Sequence, residues 1–317
     1  MIPAIIVHGS ARMTPNLAVS RVLTAAATRG CGILSKGGLA LDAVEEAIRM
    51  CEDSGEFNAG RGAHLNLVGE AEMDASIMDG KSLGSGAVAI LKGVRNPISV
   101  ARRILESADK TMVILAGEGA YKFATANSFE TISEPHPERL RYWKQLREAL
   151  DRGGELPGIN LPDPGLLREF LKKDPGEGTV GAVAIDTRRN LASGVSSGGT
   201  PLKLPGRVGD IPIIGCSNFA DDTAGAVSLT GTGNIMVRYA VARWAVDLMR
   251  SGFPAQKAVE TVVSSLNEKV NEFVLGIIAV DAGGGFGVAR NLDGMPHAYM
   301  AEGMSSPGIR EAPILRK

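Results

Sequence analysis

The chain has 317 residues, 44% of them hydrophobic and 22% charged, with a formal net charge of −1. That is the balance of a soluble globular protein, and one large layered domain of this length buries roughly three-quarters of its unfolded surface. The cations are scattered, Lys172-Lys173 and Arg188-Arg189 being short pairs only, so no field recruits nucleic acid or an anionic membrane.

Three cysteines, Cys31, Cys51 and Cys216, form no paired motif, which suits free thiols in a reducing cytoplasm. No apolar run reads as the ~18 residues of a membrane span. The opening Ile2–Val7 run lacks a basic flank, so it is expected to be a strand and not a signal peptide.

In chain order, Ile2–Gly9 is predicted to be a buried strand, followed by helices over Leu17–Arg29 and Leu39–Cys51. Phe57–Gly62 is a glycine-rich turn. A hairpin is predicted from His64–Gly69 and Ala71–Met78, then a strand at Ala87–Leu91, a helix at Ile98–Leu105 and a strand at Met112–Leu115. Helices are predicted over Ala120–Ala126 and Glu138–Leu150. Residues 153–178 have linker composition, rich in glycine and proline, with one amphipathic piece at Leu166–Leu171. A stretch of this kind inside a domain is usually functional or disordered. Strands follow at Thr179–Asp186, Leu191–Ser196, Pro212–Cys216 and Ala224–Leu229. Helices Ile235–Met249 and Ala255–Leu266 precede a meander through Gly276–Val280, Gly285–Ala289 and His297–Ala301. Grouped strands with paired helices predict an antiparallel core with helices outside, an α+β fold.

Among chemically capable residues, His8, His64, His136 and His297 form no ligand pair, and no zinc or EF-hand spacing exists. Glu70, Glu72, Asp74 and Asp79 read as the solvated face of the hairpin. Gly176–Gly181 fits a GxGxxG string, but a proline-rich linker precedes it and a β-branched strand follows, the wrong order for a dinucleotide loop.

Gly178-Thr179 has a different possibility. A threonine hydroxyl needs an adjacent base, and a threonine at a chain's start carries one in its own α-amine. Such a residue is internal at synthesis, so the bond before it must break, and a linker ending in glycine ahead of a rigid strand suits that event. An ordinary loop-to-strand junction has the same form and, taken alone, is the commoner reading. Arg207 and Asp210 stand three apart on a glycine-punctuated loop, where they could grip an α-carboxylate and an α-ammonium or simply pair at the surface. Thr230-Gly231-Thr232-Gly233 joins a strand to a helix, suiting either an oxyanion hole or a plain N-cap.

Five segments together carry a resemblance: Phe57–Gly62, Met73–Gly80, Gly178–Gly181, Leu204–Asp210 and Thr230–Gly233. In order and spacing the chain resembles the plant-type asparaginase and isoaspartyl peptidase family of N-terminal-nucleophile hydrolases. The resemblance implies a four-layer αββα sandwich, residues 1–317 forming one domain cut into subunits 1–178 and 179–317 and paired as an (αβ)2 assembly. It implies Thr179 as nucleophile and base, Ser197 steadying it where the family has threonine, and Asn58 beside it. Thr230 and the Gly231 N–H would form the oxyanion hole. Arg207 would hold the substrate carboxylate and Asp210 its amine, with Gly231 and Gly233 assisting. The substrate would be L-asparagine or a β-aspartyl peptide. No cofactor is required by that chemistry, although a sodium ion on backbone carbonyls of Asp53–Gly62 is a family feature. Departures fall at Ser10, at Thr200-Pro201-Leu202 and at Asn234. They leave open a glycosylasparaginase-like specificity, or a poorly maturing relative that only binds aspartyl compounds. A nucleotide-binding protein is the remaining alternative.

Overall fold

The computed structural model describes residues 3–11, 13, 15–151, 178–309 and 313–316. Apart from Gly178, the linker expected at 153–178 lies outside the described residues.

Strand β1 (Ala4–His8) is buried along its whole length. Ile5 and Val7 join one apolar cluster and Ala4 and Ile6 another, because successive side chains of a strand point to opposite faces. The same two-sided burial recurs in β5 (Val180–Ile185), an apolar run, and in β6 (Leu191–Ser197), whose Ser193, Ser196 and Ser197 are buried as well. Seven strands form one sheet in the order β11-β1-β5-β6-β2-β3-β4, with β2 at Met73–Asp79, β3 at Ser85–Leu91, β4 at Ile114–Ala116 and β11 at His297–Ala301. Four form the other, β10-β9-β8-β7, from β7 (Asn218–Asp221), β8 (Gly225–Gly231), β9 (Leu275–Asp281) and β10 (Phe286–Arg290). The β3–β4 pair is parallel; the other named pairs are antiparallel.

Helices α1 (Leu17–Leu34), α2 (Ala40–Ser54), α3 (Pro97–Leu105) and α4 (Gly117–Ala126) cover the outer face of the larger sheet. Helices α6 (Gly233–Tyr239), α7 (Val241–Arg250) and α8 (Ala255–Lys269) lie on the smaller sheet's side. The result is the αββα sandwich. Helix α5 (Pro137–Asp151) packs apart from these layers, where Trp143, Leu146 and Leu150 meet Leu67 and Leu202. Helix α1, at 18 residues and mean hydropathy 1.2, is long and apolar enough to cross a membrane by composition, contrary to the sequence expectation. Its Val19, Leu23, Ala26, Ala27 and Leu34 are buried in the core cluster with β1, as a globular core helix requires.

Three predicted elements differ. His64–Gly69 is not a strand but a turn bridged at Leu65 and Ala71, and β2 pairs with β3 and β6 instead. The Asn66 side chain accepts from Val68 N and Glu70 N, each at 3.0 Å, supplying bonds a ladder would have made. Pro212–Cys216 is a run of turns closed by Ile213 N to Asp210 O and Cys216 N to Ile213 O. The strand starts only at Asn218, since Pro212 has no N–H for a ladder. The helix predicted over Ile235–Met249 breaks at Ala240, which is left-handed at φ +46. The break turns the first N–H groups of α7 toward loop carbonyls: Ala242 N donates to Cys216 O and Arg243 N to Gly215 O.

One buried acid ties three elements together. Glu52, near the end of α2, accepts from Ser196 Oγ of β6 at 2.7 Å, Ile98 N of α3 at 3.1 Å and Asn96 Nδ2 at 3.2 Å. It is fully buried, and that burial raises its pKa to about 8 despite the donors around it. A raised acid favours the fold below its ordinary pKa, and this contribution is lost as pH rises through about 8. Glu52→Gln, which cannot ionise, is therefore expected to gain about 2 °C in Tm on the wild type between neutral pH and pH 9. Melting curves against pH check this, and parallel curves would remove Glu52 ionisation from the account.

Candidate active site

The strands of the larger sheet end together at one cleft of about 410 Å³, lying at the seam with the smaller sheet. Asn58, Gly178, Thr179, Ser197, Arg207, Asp210, Thr230, Gly231 and Gly233 all line it. The nine positions singled out in the sequence, from five separate segments, therefore meet in space.

Thr179 directly precedes β5, and the β5–β6 register pairs Val180 with Ser196, so Ser197 at the end of β6 falls beside Thr179. The Ser197 hydroxyl accepts from Gly199 N at 3.0 Å. Asn58 holds the same loop: its Nδ2 donates to Gly199 O at 2.6 Å, its Oδ1 accepts from His64 N at 2.7 Å, and its carbonyl accepts from Gly198 N at 2.9 Å. Thr230 closes the opposite side from β8, its Oγ1 accepting from Ala11 N at 3.1 Å. Thr232 occupies the N-cap position of α6, yet its hydroxyl accepts from Val274 N at 2.8 Å and not from a helix N–H. Two glycines are dictated by close approach. Gly231 has φ +143 and a Cβ there would strike Val274 O, and a Cβ on Gly233 would collide with the Asp210 carboxylate.

The charged pair expected at 207 and 210 is divided. Asp210 is buried, and Ser217 Oγ donates to its carboxylate. Burial pushes its pKa up, the hydrogen bond opposing this. Arg207 lies half-exposed, its guanidinium near Gly199 and Gly209, with no carboxylate ion-paired to it among the described residues. A cation with unfilled donors and a separate buried carboxylate suit two ends of one zwitterionic ligand better than they suit each other.

Beneath them is a group of charges that sequence reasoning misplaced. Glu72 and Asp74 were expected on a solvated hairpin face, but both are buried, at 3% and 1% exposure. Asp74 stands opposite Ser197 in register, lines the cleft, and accepts from Ile90 N at 2.8 Å and from Gly209 N. Burial raises its pKa while Lys203 and Arg207 pull it down. Lys203, also buried, donates to Glu72 O at 2.7 Å, and the Glu72 carboxylate accepts from Gly206 N at 3.0 and 3.2 Å. The segment 203–210 thus rests on a Glu72–Lys203–Asp74 cluster. The available signal was Met78, an apolar residue that alternation places on the same face of β2 as Asp74.

The histidines take no part in the cleft. His8 lies between the sheets with Nε2 at 3.0 Å from Ser228 Oγ, and burial lowers its pKa to about 4, so it is neutral. His64 is likewise lowered to about 3 by burial. Of the departures noted above, Ser10, Thr200, Pro201 and Asn234 line the cleft. Leu202 is buried beside α5.

The sandwich and its cleft correspond to a hydrolase architecture, and comparison with known proteins agrees. The profile of the family described as asparaginase matches residues 1–308. A plant-type L-asparaginase of Pyrococcus horikoshii is 44% identical over 96% of this chain and 98% of its own length. One from Thermococcus kodakarensis is 46% identical over 86% of this chain and 87% of its own. An isoaspartyl peptidase/L-asparaginase of Bos taurus is 38% identical over 98% and 96%. The chain belongs to the asparaginase family and is a hydrolase.

Replacing Asp74 by Asn would leave Lys203 and Arg207 facing each other without the anion between them. Losing the charged acceptor of the part-buried Ile90 N–H typically costs about 1–3 kcal/mol. Asp74→Asn is expected to lose stability on that scale in a denaturant titration, while Asp109→Asn, at an exposed turn, stays near wild type. Equal losses in the two variants would refute the role given to Asp74.

Proposed function

We propose that the chain cleaves itself between Gly178 and Thr179 and then hydrolyses the side-chain amide of L-asparagine, β-aspartyl dipeptides, or both. The observation that carries this reading is the convergence of Thr179 with the Arg207–Asp210 loop on one cleft, from two segments distant in sequence. The names of the relatives, asparaginase and isoaspartyl peptidase, support the substrate class.

In this reading the freed Thr179 amine, with a pKa near ~8, takes the proton of its own Oγ. Oγ attacks the amide carbonyl, and Thr230 and the Gly231 N–H stabilise the oxyanion. The amine passes its proton to the leaving nitrogen, releasing ammonia or a peptide, and water then hydrolyses the β-aspartyl ester. Arg207 binds the α-carboxylate. Asp210 accepts from the α-ammonium, with Gly233 giving it room. Ser197 and Asn58 hold the loop beside the nucleophile. The mature protein would be one domain in two pieces, 1–178 and 179–317, assembled as (αβ)2 in the cytoplasm, a compartment that suits three buried free thiols.

The structural sodium also belongs to this proposal. A Cβ at Gly62 would strike the carbonyl oxygens of Phe57 and Gly55, so backbone oxygens converge there, the donor type a hard cation takes. Carbonyls of the Asp53–Gly62 loop would hold the ion and supply a fixed loop without redox or acid chemistry. Sodium is expected to raise Tm relative to choline at equal ionic strength; identical curves in the two salts would dismiss it.

The deciding experiment is intact mass and native mass of purified protein beside Thr179→Ala. Two fragments meeting at Gly178/Thr179, absent from the variant, and a native mass of two αβ units are the expected results. Asparagine, β-aspartyl dipeptides and glycosylasparagine offered to the mature protein then separate the specificities. A wild-type chain that stays whole like the variant would replace this reading with that of a protein that only binds aspartyl compounds.

A further inference from the structure

A second cavity, of about 400 Å³, opens where the start of α1 meets the segment joining β10 to β11. It shares no lining residue with the catalytic cleft. Its size falls within the range of small-molecule pockets, ~300–1,000 Å³. Its walls are apolar on one side, through Leu23, Met295 and Ile309.

The polar side has a single sign of charge. Arg290, the last residue of β10, lines the cavity, and its Nε is shut off from solvent without a hydrogen-bond partner. No carboxylate is ion-paired to the Arg290 guanidinium among the described residues, so the part of it that lines the cavity is open to a ligand carboxylate. His297 lines the cavity beside it, its Nδ1 committed to Met295 O at 2.9 Å. Ser20, in the first turns of the 18-residue α1, contributes a hydroxyl, and that helix carries no acidic residue in its first turn to offset its positive end. Among the described lining residues there is no Asp or Glu. Three independent features therefore favour an anion: an unpartnered guanidinium edge, an uncompensated helix start and the absence of a carboxylate.

We propose that this cavity is a second ligand site, for a small organic carboxylate with an apolar body, its carboxylate on Arg290 and its body against Leu23 and Met295. The site is independent of which amide the catalytic cleft takes. Its floor nevertheless continues into that cleft's wall: Gly9 N donates to Pro296 O at 2.8 Å, and two residues on Ala11 N donates to Thr230 Oγ1.

The test is calorimetric titration of the purified full protein with benzoate and with its neutral isostere benzamide. Arg207→Ala is titrated in parallel, to set aside carboxylate uptake by the catalytic cleft. Saturable benzoate binding is expected in wild type and Arg207→Ala alike, with benzamide at least ~10-fold weaker, as loss of a charge-assisted hydrogen bond implies. Arg290→Met should weaken benzoate by ~10–100-fold. Ser20→Glu should do likewise by placing a carboxylate in the cavity; an acid near a helix start is tolerated, so this variant still reports if Arg290→Met misfolds. The proposal is overturned by no saturable uptake in wild type, by benzamide binding as tightly, by uptake abolished in Arg207→Ala, or by unchanged uptake in a folded Arg290→Met or Ser20→Glu.

Discussion

The position of Thr179 depends on the antiparallel placement of β5 between β1 and β6. His8 pairs with Gly181 on one side and Ser196 with Val180 on the other, so the start of β5 is fixed by two neighbours. A slip by one residue would exchange every inward and outward side chain of a strand whose two faces are both dry, at a cost the core could not accept. The same pairing, carried across to β2, sets Asp74 opposite Ser197. The geometry of the cleft is therefore a consequence of sheet register before it is a matter of side-chain choice.

Between the two sheets the packing is tight enough to dictate small residues. A side chain on Gly181 would displace the His8 and Ser228 contact, and one on Gly194 would enter the space of Ile48 and Val44. These glycines let the sheets and helices close on one another, and the hydroxyls of Ser193 and Ser228 left between them are hydrogen-bonded. Ser193 Oγ donates to Val227 O at 2.6 Å, and Ser228 Oγ lies 3.1 Å from Gly194 O. The site borrows this rigidity. Its acids, Asp74 and Asp210, are held inside the protein where burial raises their pKa, while Arg207 faces the cleft. A ligand that brings its own carboxylate and ammonium would complete a charge arrangement that the protein leaves incomplete.

Much of this was legible in the chain itself. Continuous apolar runs at Ala4–His8 and Val180–Ile185 announced strands with two buried faces, and 3.6-residue spacing announced α1 and α2. The site residues were legible because their chemistry is local: a threonine after a glycine at a strand's start, an Arg and an Asp on one loop, and a threonine-glycine string at a strand's end. What failed was reading that depended on distant partners. Ile235–Met249 has helical spacing throughout, yet carbonyls of Gly215 and Cys216, some twenty residues away, cap a new helix and force Ala240 left-handed. Glu72 and Asp74 looked solvated because alternation tells two faces apart without saying which of them is wet.

Composition and periodicity thus determined the layered α+β class and most strands and helices, and the motifs that carry the family resemblance singled out the residues proposed for amide hydrolysis. These are properties of short segments, whose propensities and chemistry do not require knowledge of the rest of the chain. Only the tertiary structure decided that Asp74, Glu72 and Lys203 form a buried support under Arg207, that Glu52 is raised to about 8, and that Arg290 lines a cavity with no counter-ion among the described residues. The physical reason is the same in each case. The energy of a charge is set by its desolvation and by partners far away in sequence, and neither exists until the layers have packed.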